Sequence, residues 1–213
     1  YIEGNYHTAR LVDGTMRSVT HLWTHIDGLR TWVYLPDSYW GADTDEERMS
    51  IWNQSMEDTI AANQAIIDGL TLDDFAPHLY EVGEEGLFQH PTTSENCGEF
   101  SASADSAGRG FSTIMTIELL GEESEMQLDH ITSSWAHVYA SQDMMILAEP
   151  ANDWWWFWRN FGWEDATNIH VFDISDPSET TYVASGRIDG TVQDQFSISE
   201  YNGVIRVATT EDA

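Results

Sequence analysis

Residues 168–213 read NIHVFDISDPSETTYVASGRIDGTVQDQFSISEYNGVIRVATTEDA, and the fold is decided here. Four short runs follow one another, each closed by turn formers. Ile169, Val171 and Phe172 belong to a run that is apolar on both faces, as in a strand buried between two layers. The loop Asp173-Ile174-Ser175-Asp176-Pro177-Ser178 is dense in residues that build turns. Tyr182 to Gly186 is the second run. Phe196 and Ile198 alternate with Gln195, Ser197 and Ser199, the period of a half-buried strand. Asn202-Gly203 is a two-residue hairpin signal, since both residues tolerate positive φ. Ile205 and Val207 then alternate with Arg206 and Ala208. The pattern is an antiparallel meander.

Upstream the same pieces recur. HTARLV with MRSVTH, AHVYAS with MMILAE, and QFSISEY with VIRVATT are each strand, two-residue turn, strand. FSTIMTIEL followed by MQLDHI parallels NIHVFDI followed by YVASGRI. The order is pair, insertion, pair, and it repeats. Four strands per repeated unit is the signature of a β-propeller blade. The expected fold is therefore all-β: a β-propeller fragment of about two to three four-stranded antiparallel blades, with an α-helical insertion. It spans residues 1–213, with blade boundaries near His130 and Gly190 and the helical insertion at about residues 43–77. The chain opens at Tyr1 inside a strand-like pattern, so its true termini and any signal peptide are expected to lie outside it.

The insertion is marked by a change of period. Thr44-Asp45-Glu46-Glu47 is a capping box with acidic residues suited to a helix N-terminus. Met49, Trp52, Met56, Ile60 and Ile67 follow at helical spacing, and Gly69 closes the run. Thr71 to Phe75 reads as a second short helix, stopped before Pro77. A short apolar run stands at Thr31 to Leu35, and Glu81 to Gly110 reads as loop with one short strand.

Lys+Arg is 8 against Asp+Glu 37, a formal net charge of −29, and all the basic residues are arginines. Such a chain repels nucleic-acid phosphates and anionic lipid surfaces, which makes both poor partners; no nucleic acid is expected. Its two readings are a solvated acidic surface and adaptation to high salt, and the absence of lysine favours the second. No run is long and apolar enough to span a membrane. Cys97 is the single cysteine, so no disulfide forms within the chain.

Three constellations are chemical candidates. His21 and His25 share a strand face but stand too far apart there for one metal ion. Asp173, Asp176 and Glu179 offer oxygens within one loop, as Ca²⁺ requires, although Asp and Pro are also what the turn needs for itself. The stretch WWWFWRNFGW carries Trp154, Trp155, Trp156, Trp158, Arg159 and Trp163. If extended, it places Trp154, Trp156 and Trp158 on one face. These indoles either cap the propeller against the helix or bind a ligand, a sugar ring or a partner protein. No metalloprotease, phosphate-loop, dinucleotide or serine-hydrolase motif is present.

From Thr167 onward the chain resembles secreted bacterial and archaeal proteins with a C-terminal β-propeller distantly related to WD-repeat propellers. The resemblance rests on IHVFDIS, the ASG turn, the QFS strand and the RVATT strand, with TLDDFAP and Cys97 in matching order upstream. A weaker likeness is to surface propellers built on DISDP repeats. The resemblance implies export or attachment at the cell surface, and no catalytic residues. The leading expectation is a non-catalytic binding or scaffold module without a cofactor. The alternative is a hydrolase or lyase with its site in the propeller channel, since the fold hosts both.

Overall fold

The computed structural model describes residues 1–93, 99–103, 108, 110–120, 126–151 and 165–211. Its chain forms two compact units, residues 1–24 with 76–213, and residues 25–75. In chain order the strands are β1 (Asn5–Val12), β2 (Thr15–Trp23), β3 (His78–Gly83), β4 (Gly86–Pro91), β5 (Phe100–Ser101), β6 (Gly110–Glu118), β7 (Met126–Ser133), β8 (His137–Ala140), β9 (Met144–Pro150), β10 (Ala166–Asp173), β11 (Thr181–Asp189), β12 (Ile198–Tyr201) and β13 (Val204–Val207). The helices are α1 (Asp37–Gly41) and α2 (Asp45–Ile67).

The larger unit is a stack of antiparallel sheets. The first sheet has the order β1-β2-β6-β7, extended by the two-residue parallel strand β5. The second is β8-β9-β10-β11 in sequence order, and the third is the hairpin β12-β13. The first two thus carry four antiparallel strands each, built as pair, insertion, pair. A small separate hairpin, β3-β4, is tied to the N-terminus by the Ile2–Leu79 bridge.

Alternation along the strands makes the stack. Val19, Ile114 and Ile131 of the first sheet pack against Val138, Met145, Leu147 and Phe172 of the second. Ile146 and Ala148, which follow Met145 and Leu147, turn the other way and with Ile169 face Val192 and Ile198 of the third unit. The inner strands β9 and β10 of the second sheet are therefore buried on both faces, whereas its edge strand β11 is largely exposed. Ile114, Ile131, Met145, Ile146 and Leu147 are fully buried. Each such side chain contributes about 1.5–3 kcal/mol relative to exposure.

The tight turns match their residues. Asp13 and Gly14 have φ of 48° and 83°, and Asn202 and Gly203 have 53° and 74°. Successive left-handed residues form the turn whose twist suits a two-residue hairpin. In the smaller unit, the Thr44 side chain accepts from the Glu47 N–H at 3.2 Å. The Glu47 carboxylate reaches back one residue further than a capping box requires, to the Asp43 N–H at 3.3 Å.

Several expectations need correction. Residues assigned to loop between Glu81 and Gly110 include most of the β3-β4 hairpin, whose Glu84-Glu85-Gly86 turn masked its strand period. Phe196 lies in a 3-10 turn, Gln195–Ser197, because Asp194 caps it by accepting from the Phe196 and Ser197 N–H groups. The stripe on α2 is rotated: Ile51, Trp52, Ser55, Met56, Thr59, Ala62, Asn63 and Ile66 are buried or half-buried, whereas Met49, Ile60 and Ile67 are exposed. Small and polar residues take the inner face alongside Trp52 and Met56, so apolarity alone selected the wrong neighbours. Cys97 and the Trp154–Trp163 stretch lie outside the described residues.

Candidate functional site: a groove where the first strands meet

β1, β8 and β12 are the first strands of the three repeated units, and they come together. Between them opens a groove of about 390 Å³ lined by Arg10, Tyr139, Ala140, Gln195, Phe196 and Ile198. Arg10 connects all three units. Its Nη1 donates to Ala9 O at 3.0 Å and to the Thr8 hydroxyl. Its Nη2 donates to Val138 O at 3.5 Å and to Gln195 Oε1. Tyr139 Oη accepts from the Glu200 N–H at 3.1 Å. The floor is thus fixed by polar bonds between strands. Phe196, 85 % exposed, is the open apolar surface at its edge. The sequence held a usable signal for these residues, since each sits in or beside the opening strand of a repeat.

The titratable groups with large shifts lie elsewhere, on the first sheet: Asp129 and His21 on the face towards the second sheet, His130 on the opposite face. Strand register sets Val19, Ile114 and Asp129 in one row and His21, Ser112 and Ile131 in the next. Burial raises the Asp129 carboxyl to about 7, reinforced by Glu99 and Glu179 and opposed by Arg17. Burial lowers His21 and His130 to about 4 each. Ser133 Oγ donates to Ser112 Oγ at 2.7 Å, and Ser112 Oγ lies 3.2 Å from His21 Nδ1. Glu149 Oε1 meets His170 Nε2 at 3.0 Å, with its other oxygen accepting from the Ser134 N–H. These side-chain pairs join neighbouring strands of the same sheet, while His21 Nε2, His130 Nε2 and Asp129 Oδ2 are buried without a hydrogen-bond partner among the described residues.

Asp173, Asp176 and Glu179 stand in the β10-β11 connection. Asp173 Oδ1 accepts from Ser175 N–H and Oγ at 2.9 and 2.6 Å, and Asp176 Oδ1 from Ser178 N–H and Oγ at 2.8 and 2.7 Å. These bonds hold both carboxyls below their usual range. The cation against this loop is Arg17, almost fully buried on β2. Its guanidinium donates to Asp176 O at 2.6 Å, Glu179 O at 2.9 Å and Thr180 Oγ1 at 2.9 Å. Gln127 and Thr180 add a reciprocal amide pair at 2.9 and 3.3 Å. Among the described residues no group of three or more His, Cys, Asp or Glu side chains is disposed to hold a metal ion. No helix among them is long and apolar enough to cross a membrane.

No curated protein and no solved structure matches the chain. The sequence model of the family described as "Beta propeller domain" matches residues 1–213. With two four-stranded antiparallel units and a third hairpin meeting at their first strands, the chain belongs to the β-propeller domain family.

Proposed function

We propose that the chain is a non-catalytic binding or scaffold module of an exported or cell-surface β-propeller protein. The observation that carries this reading is the groove. It presents an aromatic surface, a phenol and a guanidinium fixed by its neighbours, the furnishings of a recognition site. The groups with strongly shifted pKa values, Asp129, His21 and His130, line no part of the groove, so the channel hydrolase or lyase draws no support from them. Export is supported by the likeness of residues 167–213 to secreted propellers. High-salt surroundings are supported by the −29 charge without lysine.

The test is a panel of soluble polysaccharides and extracellular peptides presented to the purified chain and to Phe196→Ala. Reversible binding, with the bound molecule recovered intact and affinity reduced about tenfold in the variant, is expected for a well-placed aromatic contact. Recovery of a cleaved ligand, with cleavage lost in Phe196→Ala, would establish the hydrolase or lyase instead. Fractionation of producing cells checks location: the protein belongs in the medium or on the surface, and confinement to the cytosol contradicts export.

A further inference from the structure

At the end of the stack where β9 stops at Pro150 and β10 begins at Ala166, two indoles stand open to solvent. Trp23 closes β2 and is 48 % exposed; Trp135, between β7 and β8, is 38 % exposed. A single imidazole separates them. The His21 ring packs edge-to-face with Trp23 at 4.6 Å and with Trp135 at 5.8 Å. His7 packs edge-to-face with Trp135 at 4.3 Å. His21 is buried, fixed through Ser112 and Ser133, and uncharged at neutral pH because burial lowers it to about 4. Burial, with His137 and Arg10 nearby, lowers His7 as well. The result is a rigid aromatic surface without formal charge, on a chain of net charge −29.

Its chemistry selects an occupant. Polyanions are repelled by the whole molecule. A cationic partner would gain most from the carboxylates and little from neutral imidazoles. A hydrocarbon surface would be met by aliphatic side chains, whereas indoles combine apolar faces with a polar edge and suit a ligand that is wet on its rim. A pyranose ring has C–H groups to lay on an indole face and hydroxyls to bond with the polar indole edge. We propose that Trp23 and Trp135 form a stacking platform for the sugar rings of a neutral polysaccharide. The site is separate from the groove, but it rests on the same binding reading of the chain.

Affinity electrophoresis of the whole chain in gels containing hydroxyethylcellulose, laminarin or mannan tests it, with alginate as the anionic control. Wild type should be retarded by at least one neutral polymer and not by alginate. Trp23→Ala and Trp135→Ala should each weaken that retardation about tenfold, while Trp40→Ala, at an exposed indole on α1, leaves it unchanged. Trp23→Phe and Trp135→Phe, which keep a ring against His21, guard against misfolding and should fall in between. Absence of retardation by all three neutral polymers overturns the platform, as does full retention by both alanine variants. Loss confined to Phe196→Ala also overturns it, yet leaves the chain a binding module. Depolymerisation of the retarding polymer contradicts the binding reading itself.

Discussion

Arg17 shows how a buried charge is made tolerable with no carboxylate of the described residues within ion-pair distance. Its guanidinium gathers two backbone carbonyls and a threonine hydroxyl from the connection opposite, so each sheet supplies what the other lacks. Arg17→Met leaves those acceptors dry and should cost about 2–4 kcal/mol in denaturant unfolding. Asp129 has the opposite character. Its carboxyl is raised to about 7 when folded, so the cost of ionising it grows as pH rises from the unfolded value towards 7. Asp129→Asn should therefore be more stable than wild type at pH 8, by on the order of 1 kcal/mol after solvent screening. The advantage should shrink as pH falls and vanish below about pH 3, where the wild-type carboxyl is protonated in both states. Melting curves of both proteins across pH 4–8 check the sign. None of this was legible in the sequence. Nothing in MRSVTH marks Arg17 as inward-facing, because strand alternation gives a face only once its neighbours are known.

Elements were more legible, for local reasons. Asp13-Gly14 and Asn202-Gly203 announce their hairpins because the turn demands positive φ, and both pairs adopt it. Asn202→Val puts a β-branched side chain at φ 53° and should cost about 1–2 kcal/mol, measurable as faster amide exchange in β12 and β13. Thr44 marked the start of α2, because capping is a property of adjacent residues. Its inner stripe was not legible: Ser55, Thr59 and Asn63 turn inward, and Ile60 and Ile67 outward. The β3-β4 hairpin was missed since its strands lack clean alternation, β4 being exposed along its whole length. The groove was legible only in outline. The repeat identifies first strands, but their convergence on Arg10 is tertiary.

At the scale of the whole molecule, charge and layering dominate. With 37 carboxylates against 8 arginines, screening should stabilise the fold: the Debye length falls from ~10 Å at 0.1 M salt to ~3 Å at 1 M. Melting temperature should rise steadily with NaCl, and a flat or falling curve rejects the electrostatic account. The central claim is that the repeated units stack face to face, the second sheet between the other two. Methyl–methyl NOEs in protein labelled at Ala, Ile, Leu and Val test this most directly, because Ile146 and Leu147 are adjacent yet face opposite layers. Leu147 and Val138 should give cross-peaks to Val19, Ile114 and Ile131, and Ile146 and Ala148 to Val192 and Ile198. Direct cross-peaks between Ile114 and Ile198, or none linking Ile198 to the second sheet, would contradict the stack.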